Sequence, residues 1–307
     1  MQIRHLISIK HLSSKFVEKL LQSAREMEAH PEAFADRAKG KILADLFFEP
    51  STRTRLSFES AMLRLGGNML GFSSPKGTSV EKGESLADTI RMAHSYADII
   101  VLRHYIEGAG RVAAEISNVP VISGGTGSQE HPTQALLDLY TIWKHHGRFS
   151  NLKVAIVGDL RYGRTVPSLS YLLALFPNNK IYYCSPKQLR VRREVLSEVD
   201  GKLEYEELED IEEILPDVDV AYITRVQKER FPDPQDYLKV RDSYVITPKT
   251  LRNVKESFIL LHPLPRVGEI AYEVDNLPQA KYFEQARNGV YVRMAILDYF
   301  LNYPWEA

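Results

Sequence analysis

The chain has 307 residues, enough for about two domains and for a core that needs no metal or disulfide to hold it. Its 39 basic and 40 acidic side chains leave a formal net charge of −1, which excludes a global pull toward nucleic acid or an anionic membrane, so any cationic site must be local. The one cysteine, Cys184, excludes an intrachain disulfide and a Cys-rich zinc site; with no leader-like N-terminus and no apolar run near the roughly 18 residues of a membrane span, a cytoplasmic protein is expected.

In chain order, apolar runs of strand length cover 42–48, 68–72, 98–102, 119–123, 152–157, 180–184, 218–223 and 258–261. Segments with helical spacing lie at 52–65, 85–95, 133–146, 164–176 and 187–199, and a last amphipathic helix over 288–302 lines up Val292, Ala295, Ile296 and Phe300. This alternation predicts an α/β chain of two domains, each a parallel sheet flanked by helices, with the C-terminal helix packing back on the first. Gly147 terminates the helix over 133–146 and a fresh series starts at Leu152, so the boundary lies near that helix. The expected domains are 1–132 plus 288–307, and 133–287.

Basic residues recur just past predicted strand ends: Arg53 and Arg55, Arg103 and His104, His131, Arg161 and Arg164, Arg225, then His262 and Arg266. In open α/β sheets that is where ligands bind. A cation in the first turn of a helix opposes the helix dipole by ~0.3–1 kcal/mol, and a bound anion is the simplest compensation. Any one such arginine is equally at home in a surface ion pair; the same bias at six strand ends is what points to an anion site.

Three motifs carry this reading. Ser51-Thr52-Arg53-Thr54-Arg55 packs hydroxyls and guanidinium groups into one helical turn, suited to a dianionic phosphate. In His131-Pro132-Thr133-Gln134, proline at the first helical position sets imidazole and carboxamide at a helix mouth, where both can face a carbonyl oxygen. In His262-Pro263-Leu264-Pro265-Arg266 the prolines stiffen the chain and present the carbonyls of Leu264 and Pro265 to an N–H. The polar loop 77–84 reads by default as solvated. The segment 158–165 lacks G-x-G-x-x-G spacing, and no Walker or metal-ligand pattern occurs.

The order and spacing of these motifs resemble the aspartate/ornithine carbamoyltransferases over nearly the whole chain. Leu102-Arg103-His104, the segment 158–165 and Thr224-Arg225-Val226-Gln227 are similar to the aspartate-using members. Thr133 and Pro263 stand where ornithine-using members carry Cys, and their Ser-Met-Gly segment is absent.

The resemblance implies a carbamoyl phosphate-binding first domain and an aspartate-binding second one. It assigns the phosphate to Ser51, Arg53, Thr54 and Arg103, the carbonyl oxygen to Thr54, Arg103 and His131, and the carbamoyl nitrogen to Gln134, Leu264 and Pro265. Arg164, Arg225 and Gln227 would hold the aspartate carboxylates, with Lys82 also in the aspartate-binding set. Ser79 and Lys82 look like residues lent by a neighbouring subunit of a homotrimer. The catalytic set is then Arg53, Thr54, Lys82, Arg103 and His131. The expected reaction carries the carbamoyl group of carbamoyl phosphate to L-aspartate, early in pyrimidine biosynthesis, without cofactor or metal. Some family members join separate zinc-containing regulatory chains, and this chain has no ligands for that zinc. The rivals are a carbamoyltransferase for ornithine or a related amino acid, and a non-catalytic anion-binding α/β protein. Ornithine would want an acidic pocket, which Arg164 and Arg225 do not provide.

Overall fold

A computed structural model describes residues 4–226, 235 and 244–303. The chain divides into two compact units, Met1–Leu137 with Arg287–Ala307, and Asp138–Ala286. The divisions fall inside two helices, α5 (Pro132–His146) and α8 (Tyr282–Asn302).

The first unit holds a four-stranded parallel sheet of β1 (Ile42–Phe47), β2 (Asn68–Phe72), β3 (Ile99–His104) and β4 (Val121–Thr126), in the order β2-β1-β3-β4. Helices α1 (Ser14–Ala29), α2 (Thr52–Arg64), α3 (Leu86–Tyr96) and α4 (Ala109–Ile116) accompany it. Central strands of a parallel sheet are covered on both faces and so read as unbroken apolar runs. That holds for 99–102 of β3 and, apart from one residue, for β1, whereas the edge strand β2 exposes Met69 and Leu70. One acidic residue interrupts β1. Asp45 is buried, accepts from Arg55 Nε at 2.9 Å, and lies against Gly71 of β2, where any Cβ would stand 2.1 Å from the Asp45 carbonyl oxygen. Only glycine admits that approach. The end of α8 packs on α1 and its neighbourhood: Tyr299 meets Phe16 edge-on, and Asp298 takes both arms of Arg37 at 2.6 and 3.1 Å.

The second unit holds five parallel strands, β5 (Lys153–Val157), β6 (Lys180–Cys184), β7 (Glu204–Leu208), β8 (Val220–Ile223) and β9 (Ile259–Leu261), ordered β7-β6-β5-β8-β9. Helices α6 (Thr165–Leu173) and α7 (Arg193–Val199) belong to it. The core runs through Ala155, Val157, Ile223, Phe258 and Leu260. Strand β7 is absent from the sequence expectation. Its Glu-Tyr-Glu-Glu-Leu lies at the sheet edge, where Glu204 and Glu206 pair with Lys180 Nζ across the ladder at 2.7 and 3.3 Å. The helix expected over 187–199 is also divided: a 3-10 turn, Lys187–Leu189, precedes an extended link to α7, because the Leu189 carbonyl accepts the Leu160 N–H at 3.1 Å instead of continuing a helix. Among the described residues no helix is long and apolar enough to cross a membrane.

Candidate active site

Each sheet has one place where the strand order reverses, and crevices form at the carboxyl ends of the strands there. In the first unit the reversal lies between β1 and β3. Chain leaving β1 supplies Ser51, Arg53 and Thr54 at the start of α2, and the end of β3 supplies Arg103. Phe48 N–H donates to the Arg103 carbonyl at 2.8 Å, which holds the two strand ends together. Ser51 occupies the cap position of α2, but its hydroxyl makes no capping bond, and Arg53 is exposed. Thr54 is buried, and its Oγ1 lies 3.4 Å from Nε2 of the equally buried His131, 77 residues on.

Arg103 is set rigidly. Its Nη1 donates to the Gly124 carbonyl at 3.0 Å and its Nη2 pairs with Glu49 at 2.9 Å. Glu49 is thus a site residue that the cation pattern misses; its only sequence signal is its place at the end of β1. His131 leads into α5, with Gln134 N–H donating to the His131 carbonyl at 3.0 Å. Just before it, Glu130 accepts from Ser8 Oγ at 2.6 Å and from Ile9 N–H at 2.8 Å, tying the N-terminal segment to the His131 junction; burial raises this carboxyl above its usual range in spite of those donors. The buried Arg293 of α8 lies 5.0 Å over the Phe58 ring of α2 and donates to Thr133 Oγ1 at 3.4 Å, behind the starts of α2 and α5.

Ser79 and Lys82 are exposed on a 3-10 turn, Ser79–Lys82, whose start is held by the Val80 N–H donating to Thr78 Oγ1 at 3.3 Å. Among the described residues Lys82 makes no ion pair.

In the second unit the reversal lies between β5 and β8, paired as far as Val157 with Ile223. Gly158 follows at φ 111°, and a Cβ there would stand 2.2 Å from the Thr224 carbonyl oxygen. Asp159 Oδ1 then accepts the N–H groups of Arg161 and Tyr162 at 3.2 and 2.9 Å, turning the chain toward α6, where Arg164 occupies the cap position without a side-chain capping bond. Arg225 leaves the end of β8, two residues past the Ile223 pairing. Gln227 lies outside the described residues. After β9, Leu264 has φ 55° and its peptide bond to Pro265 is cis; Leu264 is half-buried and Pro265 exposed.

Three cations that the sequence places at strand ends are otherwise engaged. Arg55 turns to Asp45 and to Glu59 Oε1 at 2.8 Å, so its charge in the first turn of α2 is offset by carboxylates, not by an anion ligand. Burial pushes Asp45 up to about 6 against the pull of Arg55. His104 is buried, with Nδ1 accepting the Ile106 N–H at 3.0 Å and burial depressing its pKa, so it is a neutral packing residue between Phe48 and Tyr105. Arg266 is held by both oxygens of Asp275 and by Tyr282.

Residues 4–144 match the family model described as aspartate/ornithine carbamoyltransferase, carbamoyl-P binding domain, and residues 150–300 match the Asp/Orn binding domain of the same family. The chain belongs to the aspartate/ornithine carbamoyltransferase family. Among curated members of this carbamoyltransferase family, the aspartate carbamoyltransferase catalytic subunit of Methanopyrus kandleri is 52% identical over 302 residues, 97% of each chain. A solved catalytic subunit of M. jannaschii aspartate transcarbamoylase is 51% identical, with TM-score 0.89 over 97% of this chain and 98% of that one. Aspartate transcarbamoylase from Trypanosoma cruzi, solved in complex with carbamoyl phosphate, is 36% identical with TM-score 0.93 over 97% and 96%; it has also been solved with N-(phosphonacetyl)-L-aspartic acid at the same identity and TM-score.

Proposed function

We propose that this carbamoyltransferase carries the carbamoyl group of carbamoyl phosphate to the α-amine of L-aspartate, giving N-carbamoyl-L-aspartate and phosphate, an early step of pyrimidine biosynthesis. The observation that carries it is the meeting of Thr54 and His131 at 3.4 Å at the switch point that also holds Arg103. A hydroxyl, an imidazole and a guanidinium fixed on the Glu49 carboxylate form a preorganised donor set for an acyl oxygen beside the start of α2. The T. cruzi relative is solved with both carbamoyl phosphate and aspartate, which supports the same substrate pair here.

In this reading Ser51, Arg53, Thr54 and Arg103 bind the phosphate. The amine attacks the carbamoyl carbon, and Arg103, Thr54 and His131 stabilise the tetrahedral oxyanion. The carbon–oxygen bond to phosphate then breaks and the departing phosphate takes the amine proton, so no protein base is required. Gln134, Leu264 and Pro265 hold the carbamoyl nitrogen, while Arg164, Arg225 and Gln227 hold the two carboxylates. Holding the two substrates within reach of each other supplies the proximity term.

We extend the proposal to a homotrimer in which Ser79 and Lys82 serve a neighbour's site. Exposed Leu56 and Leu63 on α2, with Met69 and Leu70 on the edge strand β2, are apolar surface suited to a second copy. The relatives' designation as catalytic subunits supports separate regulatory chains as further partners, and the single buried free cysteine fits a cytoplasmic setting. The test is carbamoylation of aspartate and ornithine at equal concentration. Aspartate should react faster; faster reaction of ornithine would refute the assignment of Arg164 and Arg225.

A further inference from the structure

His262 takes no direct part in the reading above, yet both of its ring nitrogens are engaged. Its side chain is fully buried. Its Nδ1 accepts the backbone N–H of Leu264 at 2.7 Å, and its Nε2 faces Glu269 Oε1 at 2.6 Å. A backbone N–H can only donate, so Nδ1 carries the lone pair; a ring nitrogen that close to a carboxylate carries the hydrogen. The two contacts together fix one tautomer, with the proton on Nε2. Glu269 is itself held, because its other oxygen accepts the Val267 N–H at 2.9 Å, and its carboxyl is kept below the usual range against the effect of burial by its bond to His262. The ring's own backbone is pinned as well: the His262 N–H donates to Gln285 Oε1 at 2.9 Å, and the Gln285 amide donates to the buried Asp138 at 2.6 Å.

The consequence falls on Leu264 and Pro265. Leu264 has φ 55°, a conformation that a γ-branched residue adopts only when its surroundings impose it. Among the described residues, the side chain that holds its amide is His262, through Nδ1. With the proton on the other nitrogen, two N–H groups would point at each other and the turn would lose its anchor.

We propose that Glu269 and His262 form a positioning pair for the carbamoyl-nitrogen acceptors: the carboxylate locks the imidazole tautomer, and the imidazole holds the Leu264 amide so that the carbonyls of Leu264 and Pro265 stand where the carbamoyl N–H groups need them. This rests on the reading that those two carbonyls hold the carbamoyl nitrogen. Neither His262 nor Glu269 touches substrate.

The experiment compares His262→Asn with His262→Gln in the intact enzyme. Asn places its amide oxygen near the Nδ1 position and keeps an acceptor for Leu264; Gln extends toward Glu269 and offers Leu264 none. H262Q should lose about 30-fold or more in kcat/KM for carbamoyl phosphate, and H262N should recover to within about 5-fold of wild type. Inhibition by inorganic phosphate, which has no carbamoyl nitrogen, should stay within about 2-fold in both variants. Equal losses in the two variants, or phosphate binding that weakens in step, would make the role merely structural and overturn the proposal. Histidine 15N shifts in the wild-type enzyme separate the remaining cases. A proton on Nδ1 overturns the tautomer lock itself. The expected Nε2–H signal together with full activity of H262Q would instead show that Leu264 and Pro265 take no part in the site, which removes the reading on which the pair depends.

Discussion

Arginines 53 and 55 are two residues apart in the first turn of α2, yet the structure gives them opposite fates, and replacing Arg55 by Met measures the difference. Asp45 is 1% exposed and depends on Arg55 Nε at 2.9 Å for its counter-charge, while Arg55 Nη2 also serves Glu59. Removing one partner of a fully buried pair costs ~3–5 kcal/mol. The Arg55 side chain is 32% exposed and Asp45 can discharge itself by taking up a proton, so a deficit of about 2–3 kcal/mol at pH 8 is expected. The pH dependence has a definite sign. Burial raises the folded pKa of Asp45 to about 6 from an ordinary 3.8, so its contribution to stability is fully present below 3.8 and lost as pH rises through 6. Methionine at 55 raises the folded value further. The deficit of the variant therefore grows above pH 6 and shrinks toward about 1 kcal/mol at pH 5, where Asp45 is mostly protonated in both proteins. Urea unfolding midpoints at pH 5 and pH 8 read this directly, with kcat expected to stay within about 5-fold of wild type. An equal deficit at both pH values, or a kcat collapse like that expected for Arg53→Ala, would refute the assignment of Arg55 to the core of the first unit.

Arg103→Lys keeps the charge but cannot span Gly124 and Glu49 together; kcat should fall about 100-fold with the KM for aspartate within about 3-fold, measured by steady-state kinetics. His5 accepts the Val121 N–H at 3.1 Å, and burial, aided by Arg4, lowers its pKa to about 4 from 6.5. A depressed folded pKa means this contribution is present above 6.5 and lost as pH falls toward 4, so His5→Asn, which keeps an acceptor and does not titrate, should reduce the acid loss of stability by about 1 kcal/mol after allowing for partial exposure. Mixing Arg53→Ala and Lys82→Ala chains under dissociating conditions should restore about a quarter of wild-type activity, since one site in four then combines an intact Arg53 with a neighbour's intact Lys82; no recovery would count against shared sites.

The two α/β units were legible because central parallel strands such as β1 and β8 are buried on both faces and their apolar runs survive in the sequence. Strand β7 was not, because an edge strand needs little apolar surface and Glu204, Glu206 and Glu207 hide it. The run of cations marked the ends of β4 and β9 as well as the strands at the two switch points, and it could not separate arginines held by carboxylates from the rest. Arg55 depends on Asp45 ten residues earlier and Arg266 on Asp275 nine later, and both contacts require the folded chain. Glu49, Glu130 and Glu269 were invisible for the reverse reason: an acidic residue at an anion site looks like an error until Arg103, Ser8 and His262 are seen beside them.

The central claim is chemical transfer, as distinct from anion binding, and one measurement addresses it: 13C-labelled carbamoyl phosphate mixed with the enzyme and aspartate, followed by 13C and 31P NMR. N-carbamoyl-aspartate and inorganic phosphate should appear in equal amounts, with Arg53→Ala slower by about 1,000-fold at unchanged fold. Phosphate released without the carbamoylated product, or labelled substrate bound but unchanged, would contradict it.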